Sequence, residues 1–149
     1  MQPEMIVGAG TVLSASQVEE ARSAGSRFLV SPGSTLKLAE AAAHAQVPLL
    51  PGVATASAAM AMAKLGYHIL KFFPAEPAGG VAYLKSLSAP LPHLVFCPTG
   101  GIDEAKAKSY LALPNVVCVG GSWITPADAV KAGDWNRITA LAKACASLR

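Results

Sequence analysis

At 149 residues, 52% hydrophobic and only 14% charged, the chain is long enough to form one domain with a substantial buried core. Its formal net charge of +3 comes from 12 basic and 9 acidic residues scattered singly, with no Lys/Arg block and no interleaved aromatics, which argues against a nucleic-acid or membrane-surface binder. The apolar runs fall far short of a membrane span, no basic start leads into a signal segment, and the three cysteines Cys97, Cys118 and Cys145 are odd in number, so a reducing cytoplasm is expected.

Along the chain, short apolar runs alternate with Ala-rich helical stretches. MIVG (5–8) is followed by GAGT, by SAS and by helical periodicity over 16–24, which Gly25 ends. FLVS (28–31) leads through SPGST to a helix over 35–44 opened by Ser34 or Thr35, and PLLP (48–51) leads through PGVAT to a helix over 56–65 closed by Gly66. ILKFF (69–73) precedes PAEPAGG and a helix over 81–87, LVFC (94–97) precedes PTGG and a helix over 104–111, and VVCVG (116–120) precedes GGS and a last helix over 135–147. The starts of the six runs lie roughly 20 to 25 residues apart, the spacing of βα units. Near-continuous apolar strands predict a parallel sheet with its ligand sites at the carboxyl ends, where the Gly-rich, polar loops fall. Six units fit either an open doubly wound sheet or three quarters of an eightfold barrel, and spacing alone leaves both open.

Lys71 is the one charge inside an apolar run. Period-two alternation puts it on one face of its strand with Ile69 and Phe73, and Leu70 and Phe72 on the other. Desolvation disfavours an ammonium ion, so a lysine held there is a candidate neutral amine for attack on a carbonyl. The competing reading is a strand-edge lysine whose stem packs while its head reaches water. The glycine pairs in PTGG (98–101) and VGGS (119–122) follow two consecutive strands, and successive glycine amides at a helix entrance form a nest for an anion, with Ser122 as a hydroxyl donor. In barrel enzymes a phosphate commonly sits on the loops after the seventh and eighth strands.

The segments VGAGTV, SPG, PLLPGVAT, KFFPAE, FCPTGGI and VGGSW, in that order and over nearly the whole chain, resemble the 2-keto-3-deoxy-6-phosphogluconate aldolases, including those that also cleave 2-keto-4-hydroxyglutarate. The resemblance implies a class I aldolase on a TIM-type (β/α)8 barrel, a homotrimer acting on a small phosphorylated keto acid in the cytoplasm, without metal or cofactor. Lys71 matches the lysine that forms the Schiff base with pyruvate. Thr11, Pro32, Phe73, Thr99 and Gly100 match positions around the keto acid, and Gly101, Gly121 and Ser122 match the phosphate end. In that family the GAGT strand is the third, so 1–149 is expected to be a single partial barrel domain carrying strands 3 to 8. The glutamate that acts as general acid/base, and an arginine that holds substrate, then have no counterpart here.

Glu76, just past the Lys71 strand, is the nearest substitute base by sequence, with a helix-start carboxylate as the competing role. Asp103, Glu104, Lys106 and Lys108 read as a solvated helix face, Cys97 as a core thiol, and Trp123 either as a wall of the site or as packing under its loop. His44, His68 and His93 lie away from the strand ends that carry the loops, and no Cys/His spacing suggests zinc. Two other functional classes remain open: a non-catalytic phosphosugar-binding remnant, and a fragment stable only by oligomerising or pairing with a further segment.

Overall fold

In the computed structural model, which describes residues 5–148, helices begin where the sequence supplies a side-chain oxygen ahead of an Ala-rich run. Ser14 caps α1 (Ala15–Ser23) by accepting from the Gln17 amide, and the chain leaves that helix through Gly25 at φ +85, a left-handed conformation costly for other residues. β1 (Leu29–Val30) follows, then α2 (Leu36–His44), capped by Thr35. The run expected as one strand over 48–51 is two short pieces, β2 (Leu49–Leu50) and β3 (Gly52–Val53), divided at Pro51. Thr55 caps α3 (Ala56–Lys64), and β4 (Ile69–Phe72) leads to α4 (Gly80–Leu87). β5 (Val95–Pro98) is followed by α5 (Glu104–Leu111), capped by Asp103. A short α6 (Ala127–Ala132), absent from the sequence reading, precedes α7 (Trp135–Ala146).

Every strand pairing is parallel and in chain order. β1 pairs with β2, β3 with β4, and β4 with β5. The handover at Pro51, with one neighbour before it and the other after it, is the staggered register a tilted barrel wall requires. A doubly wound sheet would reverse its strand order, and this one does not, so the α/β fold is of the TIM type.

The two outermost runs depart from expectation. Residues 5–8 form no strand; only Ala9 bridges Leu29, and Met5, Ile6 and Val7 are 84%, 69% and 58% exposed. Their apolar letters suggested a buried strand, but packing on one neighbour alone leaves them in water. At the other side, bridges join Phe96 to Val116 and Thr99 to Gly120. Three residues, 117–119, thus oppose two, 97 and 98, and this bulge interrupts the ladder that VVCVG predicted.

The core forms in two clusters. One gathers Val12, Val18, Leu29, Leu38 and Leu49 beneath α1 and α2. The larger joins Leu70, Phe72 and Phe96 to Met62, Leu84 and Tyr110 from α3, α4 and α5. Phe72 stacks on Tyr83, with ring centroids 5.6 Å apart, and Tyr67 packs against both clusters. Leu70 and Phe72 are fully buried against the helices, which turns the intervening Lys71 to the opposite, inner face.

Candidate active site

β4 sets the position of Lys71 through its neighbours. Lys71 is in register with Gly52 on β3 and with Cys97 on β5, so the three share one face. Gly52 has no side chain because the Ser31 and Pro32 backbone fills the space a Cβ would need, and its amide donates to Ser31 Oγ at 3.2 Å. The backbone of Pro32 is thereby fixed beside the strand that flanks Lys71. The Lys71 amine lies 4.7 Å from the centre of the Phe73 ring. Burial lowers its pKa from the ordinary lysine value; only a Cys97 thiolate would oppose that shift. Lys71 is half-buried, and Ile69, expected on the same face, is 51% exposed. This face of β4 is more open to solvent than the apolar run suggested, yet burial shifts the amine in the direction nucleophilic attack needs.

Cys97 is buried, as a core thiol should be. Its pKa is pushed well up, first by a hydrogen bond with Cys118 and then by burial, so it stays a thiol beside the amine.

Phe73 also touches the next turn, since a Cβ on Gly100 would stand 3.3 Å from its ring. Thr99 pairs with Gly120, and its hydroxyl donates to the Cys97 carbonyl at 3.4 Å. Gly100 and Gly101 take φ values of +106 and +76, which explains the double glycine. At Gly121 a Cβ would collide with the Trp123 ring, so Trp123 packs against the backbone of the GGS loop. Among the described residues, the amides of Gly100, Gly101, Gly121 and Ser122 donate to no protein acceptor. Thr11 lies apart: it is exposed, at φ +59, and separated from β4 by β1 and the β2/β3 run. That left-handed backbone is unusual for a β-branched residue, a form of strain that clusters at ligand sites.

Glu76 is not the helix-start carboxylate of the competing reading. α4 begins only at Gly80, so Glu76 lies outside its first turn. Its Oε1 accepts from the Tyr110 hydroxyl at 2.5 Å, and its Oε2 pairs with Lys106 Nζ at 2.8 Å. These bonds hold the carboxyl below its usual range and commit both oxygens to α5. Lys106 is therefore a tie between elements as well as part of a solvated face. The missed signal was Tyr110, a polar-tipped ring at a fully buried position of α5. Among the described residues no group of three or more His, Cys, Asp or Glu could hold a metal, and no helix is long and apolar enough to cross a membrane.

The family profile for KDPG and KHG aldolases matches residues 1–141. A 2-dehydro-3-deoxy-phosphogluconate aldolase from Pseudoalteromonas atlantica is 50% identical over 141 residues, covering 95% of this chain and 66% of the relative. The KHG/KDPG aldolase of Escherichia coli matches at the same 50% identity, again over 95% and 66% of the two chains. The chain thus spans just under two thirds of the length of these relatives. Among solved structures, a KDPG aldolase from Legionella pneumophila with pyruvate captured as a covalent carbinolamine superposes at TM-score 0.93, with 47% identity over 96% of this chain and 69% of that one. The 2-keto-3-deoxy-6-phosphogluconate aldolase of Zymomonas mobilis with 3-phosphoglycerate gives 0.92, at 46% identity over 99% and 69%. Sequential parallel strands, a desolvated lysine on the inner face of β4 and these matches along the chain lead to one conclusion: this chain belongs to the KDPG and KHG aldolase family.

Proposed function

We propose that the chain acts as a Schiff-base aldolase, cleaving 2-keto-3-deoxy-6-phosphogluconate to pyruvate and glyceraldehyde 3-phosphate, and 2-keto-4-hydroxyglutarate to pyruvate and glyoxylate. The observation that carries this reading is the half-buried Lys71 amine, its pKa lowered by burial, on the inner face of a parallel barrel wall. The carbinolamine captured in the Legionella relative is the adduct such an amine forms.

In this reading neutral Lys71 attacks the C2 ketone, and loss of water gives a protonated imine. A base removes the C4 hydroxyl proton, the C3–C4 bond breaks, and its electrons move into the imine to form an enamine. Protonation at C3 and hydrolysis then release pyruvate and restore the amine. Pro32, Phe73, Thr99 and Gly100 border the keto acid, and Thr11 closes its far side. The undonated amides of Gly100, Gly101, Gly121 and Ser122 support an anion site for the phosphate. The 3-phosphoglycerate bound by the Zymomonas relative fits the same ligand class.

Proton transfer is the step this set of residues serves least. Both oxygens of Glu76 are held by Tyr110 and Lys106. Among the described residues Lys71 forms no ion pair with a carboxylate. A positioned acid/base typically contributes about 10² to 10⁴ in rate. We therefore expect 1–149 to form the imine readily and to cleave slowly, which keeps the binding-remnant reading as the limiting case. A pyruvate-release assay on 2-keto-3-deoxy-6-phosphogluconate, with Lys71→Arg as control, tests this. Weak, Lys71-dependent release supports the reading, and release that survives Lys71→Arg refutes it. A homotrimer in the cytoplasm completes the proposal, and light scattering of the purified chain checks its assembly.

A further inference from the structure

The Glu76, Tyr110 and Lys106 cluster lies outside the imine chemistry, yet it grips the turn that carries Gly100 and Gly101. Two backbone hydrogen bonds join the loop after β4 to that turn: Ala75 N–H to the Thr99 carbonyl at 2.8 Å, and Glu76 N–H to the Gly100 carbonyl at 3.1 Å. The side chain of Glu76 then lies flat against Gly101, where an added Cβ would stand 2.9 Å from Glu76 Cβ and Cγ. Lys106 closes the ring by binding the Glu76 carboxylate at 2.8 Å while donating to the Gly101 carbonyl at 3.3 Å. Behind them Tyr110, fully buried, anchors the other carboxylate oxygen to the floor of α5.

This arrangement answers a difficulty that the glycines create. Gly100 and Gly101 have left-handed backbones and no side chains to brace them, so the turn carries the full conformational freedom of two glycines unless something outside it supplies order. An exposed ion pair is worth little as a stability element. One that joins a fixed carboxylate, a carbonyl of the turn and a buried tyrosine acts on geometry instead.

We infer that Glu76 is a positioning residue, which holds the Gly100–Gly101 turn ready for the phosphate end of the substrate. The inference rests on the anion-site reading given above. It is tested by calorimetric titration of the purified chain with inorganic phosphate, for wild type, Glu76→Ala and Glu76→Gln, alongside the rate of Lys71 labelling by pyruvate and borohydride. Glu76→Ala should weaken phosphate by about tenfold, the effect of losing a charge-assisted contact, and Glu76→Gln, which keeps an acceptor for Tyr110, should recover part of it. Labelling of Lys71 should stay within about twofold throughout, because the imine strand is held by its own ladder rather than by Glu76. Phosphate affinity in Glu76→Ala equal to or tighter than in wild type would overturn the inference while leaving the anion site standing. Parallel loss of phosphate affinity and labelling would overturn it by showing a general loss of structure. Failure of wild type to bind phosphate would overturn both the inference and the anion-site reading, and a normal Lys71 adduct would mark that failure as confined to the phosphate end.

Discussion

The two faces of β4 do different work. Leu70 and Phe72 point outward into the helices and are fully buried in the larger core cluster, whereas Lys71, between them, points inward and is half-buried beside Phe73 and Cys97. One strand thus supplies apolar anchors on one side and a partly desolvated amine on the other, and the anchors fix the strand that carries it. Stability and chemistry should therefore separate residue by residue along four positions of sequence.

The sharpest way to break this comparison is to exchange the effects. Phe72→Ala should cost about 3 to 5 kcal/mol of stability, as truncations of large buried aromatics do, measured by urea unfolding. Lys71→Met should change stability by less than about 1 kcal/mol, since it trades a weak cation–π contact for relief of desolvation. A Lys71→Met protein as unstable as Phe72→Ala would show that the amine is structural. Next in size, Tyr110→Phe should cost about 1.5 to 3 kcal/mol, the range for a hydrogen bond to a charged group, measured the same way. Gly121→Val, which drives a side chain into the Trp123 ring, should weaken inorganic phosphate by about tenfold in a titration while Lys71 still reacts. The smallest effect is one of pH. Because burial lowers the folded-state pKa of Lys71, the unfolded chain binds more protons between that lowered value and the ordinary lysine pKa. Lys71 therefore costs stability below its folded pKa, and the deficit relative to Lys71→Met should shrink as pH rises through that window, as unfolding curves at several pH values would show.

Much of this was legible in the sequence. The 3.6 and two-residue periods placed all but one of the helices, because Ser14, Thr35, Thr55 and Asp103 are good caps and Gly25 marks a left-handed exit. The strands at the outer ends were not legible: apolar letters at 5–8 and 116–120 predict burial, but pairing depends on what lies alongside, which no local pattern records. α6 was missed because its six residues are too short to show a period. At the site, Lys71 and the glycine pairs stood out as residue types in unusual company. The Glu76–Tyr110 contact joins positions 34 apart in sequence and could not be found by reading along the chain. The Lys71–Cys97 pairing likewise exists only through the register of β4 on β5.

The central claim is that Lys71 is the nucleophilic amine. Incubation of the chain with pyruvate and borohydride, followed by peptide mass analysis, tests it most directly, because the seven other lysines of the chain act as internal competitors. The account predicts a reduced pyruvate adduct on Lys71 alone, formed faster as pH rises, with a midpoint below the ordinary lysine value. A folded protein that takes up no adduct, or one labelled equally at exposed lysines such as Lys37 and Lys108, would contradict it.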